Sequence, residues 1–161
     1  MVKVETIQKK SNKTKFASLV LAGILATVVF DLAMYTDLAI TGLSPDIPTL
    51  FGSLVLGESE FAKPVGYAIH YGNGIGLALL FGFVALPIAR KITKVSIIVS
   101  AMAFSLIENV IAVWFGMLPA LGLGIAGLDA TPELAVVTFT RHIAYGAVLG
   151  LYLSRKGVWN D

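Results

Sequence analysis

The sequence predicts an all-helical membrane protein, a four-helix transmembrane bundle with a parallel two-fold internal repeat. Three observations lead there. The 161-residue chain is 57% hydrophobic, with a mean hydropathy of +0.84. Only 14% of it is charged, against roughly a quarter in a soluble domain, which leaves too little charge to coat a globule. Four apolar stretches reach the ~20 residues that a helix needs to cross a bilayer core, and nearly all the Lys and Arg residues lie on one side of them. A water-soluble enzyme, a disordered chain and a nucleic-acid binder are excluded. With no cysteine in the chain, so are disulfides, thiolate metal sites and cysteine nucleophiles.

The predicted spans run from about residue 16 to 40, 64 to 89, 95 to 118 and 132 to 153. Together they form one domain over 16–154, between a basic segment 1–15 and a short tail 155–161. Pro64 and Pro132 open the second and fourth spans, where a missing N–H costs nothing. Pro119 closes the third, and a Gly-rich turn, Leu121 to Gly127, follows. The first span has a basic start resembling a signal peptide, but it runs on past Asp31 without a small-x-small cleavage site and reads as a retained helix.

Lys3, Lys9, Lys10, Lys13 and Lys15 precede the first span; Arg90, Lys91 and Lys94 separate the second from the third; Arg155 and Lys156 follow the fourth. The opposite flanks hold Lys63 against Asp37, Asp46, Glu58, Glu60, Asp129 and Glu133. By the positive-inside rule, both termini face the cytoplasm of a multi-pass plasma-membrane protein. The N-terminal lysines suit anionic lipid headgroups, not nucleic acid. In the longest loop, Thr41 to Lys63, the Ser44-Pro45-Asp46-Ile47-Pro48 turn signal precedes Thr49 to Leu56. That piece is too short to span and too apolar for water. A short helix or strand at the outer interface, or tucked into the bundle mouth, is expected.

The two halves resemble each other. His70-Tyr71-Gly72-Asn73-Gly74 in the second span parallels His142-Ile143-Ala144-Tyr145-Gly146 in the fourth, and the preceding spans carry one acid each, Asp31 and Glu108. Gly72/Gly76 and Gly146/Gly150 are GxxxG pairs that let helix backbones approach closely in lipid.

Depth arithmetic gathers the polar residues. At ~1.5 Å per residue, Asp31 lies about 22 Å above Phe16 and Glu108 about 20 Å above Val95. His70 is about 9 Å in from Pro64, and Arg141 and His142 are about 14–15 Å in from Pro132. The outer half of the bundle thus holds Asp31, Tyr35, His70, Asn73, Glu108, Asn109, Arg141 and His142. An Asp or Arg in a helix centre costs ~2.5–3.5 kcal/mol on insertion scales, so these groups are expected to face inward and pair. One arrangement has Arg141 bridging Asp31 and Glu108 in a charge-neutralised knot. A second has His70 and His142, on diagonal helices, holding a haem or a transition metal, with Asp31 and Glu108 as carboxylate ligands. No E-x-x-H motif supports a carboxylate-bridged metal pair, and Arg141 adds positive charge there. A proton or ion path is a third reading, with only Ser18, Ser96 and Ser100 to carry it inward. No nucleophile–base pair stands out for catalysis. Tyr67 and Trp114 read as interfacial anchors, and Phe16 and Phe81-Gly82-Phe83 as lipid-facing or packing residues.

The chain resembles an uncharacterised family of small four-span integral membrane proteins from bacteria and archaea, a domain of unknown function. The resemblance is carried by Ala22-Gly23-Ile24-Leu25-Ala26-Thr27 followed by Asp31, by Asp46-Ile47-Pro48, and by His70-Tyr71-x-x-Gly74. Trp114-Phe115-x-Met117-Leu118-Pro119 and His142-x-x-Tyr145-Gly146-x-x-Leu149-Gly150 complete it. It implies a four-helix membrane fold and supplies no activity, substrate or cofactor; Arg141 and Glu108 do not match its pattern. The leading functional expectation is a non-catalytic accessory or scaffolding subunit of a larger membrane assembly, or a homo-oligomer, packed through its GxxxG faces. The alternatives are a haem- or metal-binding electron-transfer bundle and an ion or proton conduit.

Overall fold

A computed structural model describes residues 2–42 and 46–157, with side chains from residue 13 onward. The Ser44-Pro45 turn, the side chains of Lys3, Lys9 and Lys10, and the end of the C-terminal tail lie outside the described residues. Among the described residues there are five longer helices: α1 Val2–Thr41, α2 Ile47–Leu56, α3 Ala62–Ile92, α4 Ile97–Ala120 and α5 Glu133–Lys156. All but α2 are long and apolar enough to cross a membrane. No strand occurs among the described residues.

Local chemistry sets the helix ends. Asp46 caps α2, accepting from the Thr49 N–H, and Ser96 does the same for α4 through Val99. Gly157, left-handed at φ 64°, ends α5 just after Arg155 and Lys156, whose charge suits a helix C-terminus. Pro119 does not close α4; the helix continues through it to Ala120. A proline inside a helix lacks an N–H, and its ring crowds the carbonyl four residues back. The turns before Pro87 and Pro119 widen accordingly: Leu86 bonds back to Phe81 and Leu118 to Val113, five residues away. These π-helical stretches cover Phe81–Ala85 and Asn109–Met117, the second starting directly after Glu108.

In packing, α1 lies between α3 and α5, α4 packs on the far side of α5, and α2 lies along α3. The α1–α2 and α4–α5 connections are at one end of the bundle, here called distal; residue 13, the α3–α4 turn and the end of α5 are at the other. Glycine permits the closest approaches. A side chain on Gly52 would fall on the Ala62 carbonyl, and one on Gly66 on the Pro48 carbonyl, so α2 seats directly on the α3 backbone. Gly146 and Gly150 likewise bring α5 onto α4, where an added Cβ would stand 2.7 Å from Met102 Cα and 2.6 Å from Ile98 Cα.

Gly72 and Gly76 differ from that pair. Both are exposed, with nothing within 4 Å of where a side chain would stand, and take no part in packing within the bundle. Gly74, between them, does: it sits against Thr27, and Gly23 packs on Ile75. Phe81-Gly82-Phe83 divides in the same way, with Phe81 buried against Phe104, Gly82 filled by Leu19 and Phe83 exposed. The core of the terminal half is mostly apolar around Leu19, Ala22, Phe81, Leu86, Leu149 and Leu153, with Ser18 and Ser100 also buried there. Helices α3 and α4, close at their shared turn, diverge towards the distal end.

Candidate functional site

Each acid of the predicted cluster meets the histidine of its own half of the chain. His70 Nε2 is 3.0 Å from Asp31 Oδ1, and His142 Nε2 is 3.0 Å from Glu108 Oε2. Phe30 stands between the imidazoles, with ring centroids 5.2 Å from His70 and 5.3 Å, edge-on, from His142. The repeat seen in the sequence is thus matched by a repeated acid–histidine pair on either side of one aromatic ring.

The pairs differ in their hydrogen bonding. His142 Nδ1 lies 2.6 Å from the Thr138 carbonyl, which can only accept, so Nδ1 carries the proton. Nε2 then faces Glu108 Oε2. The 3.0 Å separation is that of an ion pair, but Oε2 lies off the N–H direction, and no hydrogen bond reaches this buried atom. On the other side, His70 Nε2 and Asp31 Oδ1 are joined by a buried 3.0 Å hydrogen bond.

Arg141 does not bridge Asp31 and Glu108. Its fully buried guanidinium forks onto Asp37 instead, Nε to Oδ2 at 2.7 Å and Nη2 to Oδ1 at 2.6 Å, with Phe30 6.0 Å away. The reason lies in reach. Asp37 is about 9 Å further along α1 than Asp31, and a long Arg side chain extends along the helix to place its head where a two-pronged carboxylate is available. Each acid thus has a partner of its own.

The four residues read as metal or haem ligands are not one set. They form two pairs with Phe30 between them, each histidine already turned to its acid. Among the described residues no group of three His, Asp or Glu side chains is arranged to hold a metal ion.

Other predicted residues are spread over three places. Tyr35 leaves the core cluster: its hydroxyl bonds to that of Tyr67 at 2.6 Å, beside Asp46, in a distal clamp closed by the 2.8 Å Lys63–Asp46 ion pair. Burial alone would raise the Asp46 pKa, but hydrogen bonds from Lys63 and the Thr49 N–H hold it below the usual carboxylate range. Asn109 is fully buried, with no hydrogen-bond partner for either amide atom. Asn73 is exposed. Tyr67 and Trp114, expected as interfacial anchors, bond inward; Trp114 Nε1 donates to Thr138 Oγ1 at 2.9 Å and the ring stacks on Phe139.

These residues surround a cavity of about 260 Å³. Thr27 and Phe30 of α1, His70 and Asn73 of α3, and Glu108 and Ala112 of α4 line it. From α5 come Arg141, His142 and Tyr145, whose hydroxyl crosses to the Gly74 carbonyl at 2.5 Å and forms the floor. Ile47 and Phe51 of α2 contribute from the distal side. Asn73 and Ala112 are the two lining residues that are both exposed and on the diverging helices, so the cavity opens sideways between α3 and α4.

Residues 14–157 match the profile of a family of unknown function, DUF6789. The chain belongs to that family. Every cavity residue named above falls inside the family's matched region. Neither a curated protein nor a solved structure matches the chain.

Sequence reasoning missed Asp37, Phe30 and Tyr145 as parts of the site, whereas a short helix at the bundle mouth was among its expectations for the segment that forms α2. For Asp37 a signal was present: Phe30, Met34 and Asp37 recur at three- and four-residue spacing, so they share one helix face. Nothing in the sequence marks Phe30 as the ring between two histidines.

Proposed function

We propose that this is a non-catalytic integral membrane protein that holds one lipophilic small molecule in its bundle, with both termini in the cytoplasm of the plasma membrane. The single observation carrying the reading is the sideways mouth of the cavity. Asn73 is about 16 Å along α3 from its distal end and Ala112 about 12 Å along α4, so in a ~30 Å core the mouth faces acyl chains. On the distal side the cavity wall is apolar, formed by Ile47 and Phe51 of α2. A predominantly apolar cavity with a few convergent polar groups is the usual form of a small-molecule site. Among the described residues the terminal half offers an ion or proton path little beyond the buried hydroxyls of Ser18 and Ser100, and the two separate acid–histidine pairs give little support to a haem or metal.

Native mass spectrometry of protein released from its own membranes tests this. One lipophilic adduct per chain is expected, and it should vanish in Ala112→Trp, which blocks the mouth. Identical, adduct-free spectra from the wild type and this variant would overturn the reading.

The exposed Gly72/Gly76 face supports a second reading, an accessory subunit that packs against another membrane protein. The bundle itself does not use this GxxxG pair, and such pairs serve close helix contact in lipid. Gly72→Leu should then leave the fold intact and remove a co-purifying partner; retention of every partner would end this reading.

A further inference from the structure

We infer that the cavity takes the head of a lipid-soluble hydroquinone, a single ring bearing two hydroxyls para to one another, whose tail leaves between α3 and α4. The inference rests on the cavity reading above and names the ligand class.

Size comes first. An apolar protein cavity of roughly 150 Å³ accepts benzene, so about 260 Å³ has room for one substituted six-membered ring. The walls suit such a ring, since Phe30 and Phe51 offer aromatic faces and edges to stack against. A sugar or phosphate head would leave its many polar groups unpaired against them.

Hydrogen-bonding capacity then selects the substituents. Glu108 Oε2 is buried, lines the cavity through its residue, and receives no hydrogen bond. An unmet buried acceptor calls for a donor from the ligand. On the opposite side of Phe30, His70 is already held to Asp31 through Nε2 at 3.0 Å. One unmet carboxyl oxygen in an apolar, aromatic-walled cavity matches a lipophilic ring that brings an O–H donor. A hydroquinone provides two O–H donors, whereas its quinone provides only acceptors. The mouth supplies the last constraint, because what enters between Asn73 and Ala112 must already be dissolved among acyl chains.

Three probes test the inference on the full chain in lipid nanodiscs, with empty nanodiscs as the control for partition. They are a decyl-substituted benzohydroquinone under reducing conditions, the corresponding quinone, and decylbenzene. Saturable binding is expected for the hydroquinone, at least about tenfold tighter than for the quinone, the order of a hydrogen bond to a charged acceptor. In Glu108→Gln, whose amide can also donate, that preference should fall by about tenfold or more. Quinone binding equal to or tighter than hydroquinone binding in the wild type would overturn the inference. Saturable decylbenzene binding without a hydroquinone preference would overturn it while leaving the cavity reading standing. Failure of all three probes to bind above empty nanodiscs would overturn both.

Discussion

Arg141 shows what a single residue costs inside this bundle and how that cost is met. A guanidinium shielded from both lipid and water is tolerable only with a well-placed counter-charge, and the forked contact to Asp37 provides it. Removing one partner of such a pair leaves the other charge buried and uncompensated. Asp37→Asn is therefore expected to destabilise the fold by about 3 kcal/mol or more, read as a drop in thermal midpoint in mild detergent. The double variant Asp37→Asn/Arg141→Met should lie closer to the wild type than Asp37→Asn alone. A double variant less stable than either single change would contradict the assigned pairing. Asp46 acts differently, because its clamp is at the distal end. Its carboxyl titrates below its ordinary value, so the unfolded chain binds the proton more tightly than the folded one. The Lys63–Asp46 contribution is thus fully present above the ordinary range near pH 4 and is lost as pH falls through the lowered value. Hydrogen exchange of α2 amides should be protected steadily from neutral pH down to about 5 and lose protection only below about 4. Loss beginning near pH 6 would point to another group.

At the scale of elements, glycine position decides which helices touch. Gly146→Leu would drive a side chain into the α4 backbone at Met102 and Ala101, whereas Gly72→Leu and Gly76→Leu meet open space. Thermal unfolding should show the first losing at least the ~1–3 kcal/mol typical of overpacking, and the other two close to neutral. Equal losses for Gly72 and Gly146 would contradict the packing described. The same contrast shows how far the sequence could be read. Four spans were legible because apolar length and one-sided basic flanks are direct consequences of the bilayer as solvent. So was the pairing of halves, since Asp31 and Glu108, and His70 and His142, stand at corresponding places. Which glycines pack was not legible: Gly72, Gly74 and Gly76 look alike in a sequence, and only the rotation of α3 about its axis chooses Gly74. The widened turn before Pro119 was missed because a proline near a span end reads as a stop. Arg141 was given the wrong acids because depth arithmetic places Cα atoms, and a long side chain moves its charge well beyond its own.

For the whole molecule, the decisive property is asymmetry along the bundle. The half near the termini is closed and mostly apolar, and the distal half is opened by the divergence of α3 from α4 and crossed by α2. Polar residues collect where the helices part, which is where a ligand has space and where partners for buried charges are needed. The cavity mouth, facing acyl chains, is the central claim. It can be measured on a single-cysteine variant, because the chain has no cysteine of its own. Ala112→Cys, spin-labelled and placed in nanodiscs, would report by electron paramagnetic resonance which relaxing agent reaches it. Relaxation by oxygen dissolved in the membrane, with protection from a water-soluble nickel chelate, is the predicted result. Strong relaxation by the chelate would mean that the cavity opens to water, and would contradict the account.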